Sequence, residues 1–114
     1  MSTPATPATE TAIERFQRML AQNPQNGLAR FSLGKALFDA GQFAAAREHL
    51  ALALATKPDW MMVQILLGKC DLALGDRAAA KTALQRALDL AIAQHHDGPQ
   101  CELEELLAEL GRAK

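Results

Sequence analysis

Apolar residues recur along this chain at spacings of three and four, and no segment alternates apolar and polar with period two. That periodicity predicts helices throughout and no sheet. Ile13, Phe16 and Leu20 mark helix one, which Thr11 and Glu14 can open as a capping box, although Pro7 could start it earlier. Asn23-Pro24 ends it, because the residue before proline avoids α geometry. Helix two is expected from Gly27 to Ala40 behind an Asn26 cap, with Gly41 as a left-handed stop. Helix three runs from Gln42 to Thr56, before Pro58. Asp59 can cap helix four, which reaches Leu74 and stops at Gly75. Asp76 opens helix five, which extends to about His95. Asp97-Gly98-Pro99 reads as a break, with Pro99 suited to a first helical position. Helix six carries Leu103, Leu106, Leu107 and Leu110 as one apolar stripe. The turns are short, so neighbouring helices must pack antiparallel.

Displaced by 34 residues, the chain matches itself. Leu33-Gly34-Lys35 falls on Leu67-Gly68-Lys69, Gly41 on Gly75, Ala44-Ala45-Ala46 on Ala78-Ala79-Ala80, and Leu50, Ala53 and Leu54 on Leu84, Ala87 and Leu88. Glycine inside a helix costs about 1 kcal/mol against alanine. A glycine kept at the same place in two helices therefore points to a close helix-to-helix contact.

The pattern resembles the tetratricopeptide repeat family, a 34-residue helix–turn–helix unit with a recurring W-x2-L-G-x2-Y…A-x3-F…P signature. Leu33, Gly34, Ala46 and Pro58 match in one repeat, and Leu67, Gly68, Ala80 and Leu84 in the next. Ala12, Phe16 and Pro24 match the second half of an earlier repeat. The departures are Arg30 and Gln64 for the tryptophan, Leu37 and Asp71 for the tyrosine, Leu50 for the phenylalanine and Ile92 for the proline. Asp71 is expected to be exposed or to mark a looser second repeat. The resemblance implies an all-α fold, an alpha-alpha superhelix in the form of a right-handed solenoid of about six antiparallel helices. The expected organisation is a disordered tail (1–10), a repeat domain (11–96: half repeat 11–26, repeats 27–60 and 61–94) and a C-terminal capping helix (97–114).

In this family the first helix of each repeat lines the concave groove that holds the ligand. The groove-facing positions here are Leu28, Phe31, Lys35 and Phe38, repeated as Met62, Ile65, Lys69 and Leu72. The implied groove is apolar with two cationic points. The resemblance thus implies a protein-protein interaction module, an adaptor or scaffold that binds a partner helix or peptide. Two other occupants stay open: the chain's own helix six, with its leucines packed inside, and a second copy, which would make the groove a homodimer interface. One subclass of the family clamps the terminal carboxylate of heat-shock chaperones with Lys, Asn and Arg. Phe31, Ser32, Ile65 and Leu66 stand where other clamp groups would be, so chaperone-tail binding is not expected.

Composition adds exclusions. The net charge of −1 offers no basic stripe for nucleic acid. Charge is uneven: residues 1–96 carry ten basic and eight acidic groups, residues 97–114 two and five. The acidic end reads as a solvated cap face or as a patch for a second chain's lysines. No apolar run is long enough to span a membrane, and residues 1–11 lack the basic and apolar parts of a secretory signal, so a cytoplasmic location is expected. Cys70 and Cys101 read as small buried hydrophobes. His95, His96, Asp97 and Cys101 invite a metal reading, but adjacent helical histidines point about 100° apart and do not converge. His49 stands alone on helix three and is expected at the surface. No nucleophile elbow, phosphate loop or dinucleotide motif is present, so neither an enzyme nor a cofactor is expected.

Overall fold

The computed structural model describes residues 10–112. They form six α-helices and no strand: α1 (Ala12–Gln22), α2 (Gly27–Asp39), α3 (Phe43–Thr56), α4 (Met61–Ala73), α5 (Arg77–Ala93) and α6 (Asp97–Arg112). Each helix packs on the next, giving an α–α superhelix. Residues 1–9, most of the expected tail, lie outside the described residues. Glu10, the last of that stretch, holds the Arg18 guanidinium through both carboxylate oxygens at 2.9 Å.

Local chemistry sets the helix ends. Thr11 accepts from the Glu14 amide at 3.1 Å while Glu14 accepts from the Thr11 amide at 3.0 Å, a reciprocal capping box. Asn26 and Asp76 accept from the amides of Ala29 and Ala79. Gly41 and Gly75 sit at φ +79° and +86° and close α2 and α4 with paired reverse bonds. Gly41 N–H reaches Phe38 C=O, and Gln42 N–H reaches Leu37 C=O. Gly75 and Asp76 do the same with Leu72 and Asp71.

Three expectations at the boundaries are corrected. Trp60, not Asp59, precedes α4, and its side chain makes no cap bond. Asp97-Gly98-Pro99 is not a break but the first turn of α6. Proline is tolerated there because first-turn amides have no intrahelical acceptor. Helix α5 ends at Ala93, and His95 takes the left-handed position at φ +59°, where α2 and α4 use glycine. The same paired bonds form, from His95 N–H to Ile92 C=O and from His96 N–H to Ala91 C=O.

The two mid-helix glycines explain the packing. A Cβ on Gly34 would lie 2.7 Å from Cγ of Leu50, and one on Gly68 would lie 2.6 Å from Cγ of Leu84. Leu50 and Leu84 are fully enclosed. Each glycine thus lets a leucine of the following helix reach the helix backbone. One core collects Leu20, Leu33, Leu37, Leu50, Val63 and Leu67 between α1 and α4. A second collects Met61, Ile65, Leu84, Ala87, Leu103 and Leu110 between α4 and α6. Arg77 ties α5 to the end of α6 by donating to Leu110 C=O at 3.0 Å.

The first helical amide bond fixes the register of three equivalent helices. Asn26, Trp60 and His96 accept it for α2, α4 and α6. Counting seven residues on gives Leu33, Leu67 and Leu103, all buried. Counting eight gives Gly34, Gly68 and then Glu104, which is exposed. Helix α6 therefore occupies the place of a next repeat's first helix, with a carboxylate where the close contact would be.

Two substitutions should act in opposite directions. Gly68→Ala gains about 1 kcal/mol of helix propensity but overpacks Leu84, a cost of about 1–3 kcal/mol, so urea denaturation should show a net loss. His95→Gly removes a left-handed penalty of about 1–2 kcal/mol and should raise the midpoint.

Candidate functional site

The spacing 28, 31, 35, 38 places four side chains along one face of α2, and 62, 65, 69, 72 does the same on α4. The structure treats the eight differently. Leu28 is 67% exposed and Met62 44% exposed. Ile65, only 4% exposed, belongs to the second core with Leu103 of α6, and Leu72 packs against that core half-buried. Phe31 is half-buried against Trp60, with ring centroids 4.9 Å apart, and Phe38 meets the edge of Phe43 at 5.3 Å. Lys35 pairs with Asp39 at 3.2 Å, and Lys69 reaches Glu102 of α6 at 3.5 Å. Both pairs are substantially exposed, a class of contact worth about 0–1 kcal/mol.

Helix α6 lies along α5, and none of its Cα atoms comes within 8 Å of one in α2 or α4. It reaches the α4 face only through side chains, so the half of the face on α2 is left uncovered. Leu28 and Lys35 stand in that open half.

An open cleft of about 620 Å³ adjoins Met62. Its near wall is Trp60 and Met61, and its far wall is Gln94, His96 and Pro99 from the α5–α6 turn. Lys57 lies over the Trp60 ring, its Nζ 5.9 Å from the centroid. The cleft offers an indole edge, a thioether and a cation to an incoming side chain. The role of His96 and Pro99 was not signalled by the sequence, because the turn that carries them is brought to Met62 by the packing of α4 on α5 alone. Trp60 lies in the turn between the two repeats, and its tilted contact with Phe31 ties that turn to α2.

Three polar expectations are corrected. Asp71 is only 3% exposed, and Arg47 of α3 donates to its carboxylate. The buried carboxylate raises the pKa of Arg47 further above its ordinary value, chiefly through that hydrogen bond. His49 is half-buried, not a free surface residue. Arg30 Nη1 donates to its Nδ1 at 3.2 Å and Arg30 Nη2 to Pro24 C=O at 3.1 Å. Burial first, and the Arg30 charge second, lower the His49 pKa. Cys101 is exposed, whereas Cys70 is buried and its thiol is pushed up to about 11, mainly by desolvation. Among the described residues, no three His, Cys, Asp or Glu side chains converge to hold a metal, and no helix is long and apolar enough to cross a membrane.

Comparison with known proteins places this geometry in a family. The profile described as Tetratricopeptide repeat matches residues 8–64. The chain is 36% identical over 102 residues to the TPR repeat-containing protein PA0015 of Pseudomonas aeruginosa, covering 90% of this chain and 97% of that one. It is similar to the solution structure of protein BPP2914 from Bordetella parapertussis, with a TM-score of 0.80, 37% identity and 90% of each chain covered. It shares its fold with the crystal structure of PcrH in complex with the chaperone binding region of PopD, at a TM-score of 0.82 and 19% identity, over 88% of this chain and 76% of that one.

The His49 environment has a measurable consequence. Its folded pKa lies below the ordinary 6.5, so the unfolded chain takes up this proton first as pH falls. The His49 contribution should be intact above pH 6.5 and should be lost as pH falls through the lowered folded value. Urea melts between pH 7 and the onset of carboxylate titration should show that decline, and His49→Gln should flatten it.

Proposed function

The chain belongs to the tetratricopeptide repeat family, whose members are protein-interaction modules, and we propose that it holds a helix or extended peptide of a partner protein against the face made by α2 and α4. One observation carries the reading. Leu28 and Met62, at the same register on consecutive first helices, are large apolar side chains left in solvent, Met62 on the wall of the Trp60 cleft. Exposed apolar side chains gathered on one face mark interaction sites. The fold neighbour PcrH has been crystallised with the chaperone binding region of PopD, so a solenoid of this shape can hold a peptide.

The polar register refines the partner. Counting nine residues from the same starting points gives Lys35, Lys69 and Glu105. The register thus places a lysine on α2 and on α4, each in an exposed ion pair, and a carboxylate on α6, where Glu102 and Glu109 are also exposed. A segment with an apolar anchor for the Trp60 cleft, an acidic end toward Lys35 and a basic end toward α6 suits it. Such charges set orientation and on-rate more than affinity.

Phe31 and Phe38 serve the face from behind, since both pack on the chain's own aromatics. Their replacement would disturb the fold as well as the face. The sharper test uses Leu28→Glu and Met62→Glu. A photo-crosslinking residue at Met62 would identify the partner, and the emission of Trp60, the only tryptophan, would report its binding. Fully burying one such apolar side chain contributes about 1.5–3 kcal/mol, so each substitution should weaken binding at least tenfold with helicity unchanged. Unchanged affinity in both variants would refute the α2–α4 face. If light scattering instead shows a micromolar dimer that Leu28→Glu dissociates, the face is a homodimer interface.

A further inference from the structure

A cleft lies between α3, α4 and α5 and uses none of the eight groove residues. In the repeat signature the fourth and eleventh residues of the first helix are large aromatics. In the second repeat they are Gln64 and Asp71. The missing ring volume is not refilled. A cleft of about 290 Å³ opens there, floored by Gln64, Leu67 and Asp71 and rimmed by Arg47, Thr82 and Arg86. A second cleft of about 270 Å³ continues from Gln64 and Arg86 toward Pro58, Asp89 and Leu90.

The first repeat shows what is absent. Arg30, the equivalent of Gln64, is satisfied by His49 and by the Pro24 carbonyl. Shifted by 34 residues, His49 becomes Ala83, which offers no polar atom. Gln64 is only 4% exposed, yet its side-chain amide has no hydrogen-bond partner among the described residues, and its polar tip opens onto the cleft. That tip keeps access to solvent through the cleft, so its amide is free to bond a ligand there. Arg86, on the rim, likewise has no ion pair among the described residues. Asp71 would repel an anion, but Arg47 already neutralises it. Asp89 lines only the second cleft, where it accepts from Gln85 at 3.2 Å. The first cleft therefore carries one uncompensated positive charge beside a solvent-facing amide with no protein partner among the described residues.

We infer that this cleft binds a carboxylate carried on a short apolar stem. The Arg86 guanidinium and the Gln64 Nε2–H donate to the carboxylate oxygens, and the stem lies on Leu54 and Leu67. Guanidinium is suited to this because its planar donors match carboxylate geometry. The ligand is either a small aliphatic acid or the C-terminus of a peptide, and both present the same group.

The test is a titration of the 15N-labelled full chain with hexanoate, with hexanamide as its neutral counterpart. The side-chain NH2 signals of Gln64 and the Nε–H signal of Arg86 should shift saturably with hexanoate and at least tenfold more weakly with hexanamide. Arg86→Gln should abolish the response. Gln64→Leu, which removes the amide donor at similar volume, should abolish it too, and Lys81→Gln, on α5 with Arg86, should leave it intact. Leu28→Glu should also leave it intact, which keeps this site's failure separate from that of the α2–α4 face. A short apolar peptide with a free C-terminus that binds at least tenfold more tightly than hexanoate, and loses that on C-terminal amidation, would assign the site to a partner chain. Equal affinity would assign it to the small acid. Absence of saturation with both probes, an equal response to hexanamide, or an undiminished response in Arg86→Gln and Gln64→Leu would overturn the inference.

Discussion

The structure depends on two places where a leucine is pressed against a helix backbone. Leu50 reaches α2 at Gly34, and Leu84 reaches α4 at Gly68. No larger residue fits at either glycine without moving an enclosed side chain. This contact sets the distance within each helix pair, and the alanine faces of α3 and α5 follow from it, since Ala46, Ala53, Ala80 and Ala87 are all fully enclosed. With that distance fixed, the exposed turns need only short loops, and Gly41 and Gly75 supply the left-handed residue that makes them short. The faces of α2 and α4 are then presented side by side, joined by their shared core and by Phe31 against Trp60.

The two repeats solve one problem in different ways. Both replace a large aromatic near the start of the first helix by a polar residue. In the first, Arg30 finds His49 on the following helix and a loop carbonyl. In the second, Asp71 finds Arg47 on the preceding helix, while Gln64 finds nothing among the described residues. Polar groups buried in a solenoid can be satisfied within a repeat or across the junction between two. Junction pairs such as Arg47–Asp71 couple neighbouring units, which suits a chain with few repeats, because each unit's stability depends on its neighbour.

The fold was legible because its determinants are local or periodic. Glycines at matching places, caps such as Thr11 and Asn26, and leucines at helical spacing each act over a few residues. The candidate face was legible only in part. Its eight positions follow from the repeat register, but their exposure depends on what lies across from them. Ile65 is covered by the core that includes Leu103, far along the chain, whereas Leu28 at an adjacent register is not. His49 read as a surface residue, and Asp71 as exposed or the mark of a looser repeat, because their partners lie 19 and 24 residues away, beyond any local pattern. The cleft beside Trp60 and the one over Gln64 are both formed between helices, so nothing in a single segment announces them.

The carboxylate of Glu104 bears on colloidal behaviour. A solenoid end is by construction a half-made joint: it offers the shape that the next unit would occupy, and identical molecules could dock there head to tail and grow into filaments. Growth through that joint needs a leucine of the incoming molecule to seat where Gly34 and Gly68 seat theirs. On α6 it would meet a charged side chain and have to desolvate it. The close leucine contact made at Gly34 and Gly68 would therefore have to be made against an ionised group on α6, which disfavours head-to-tail stacking through that face.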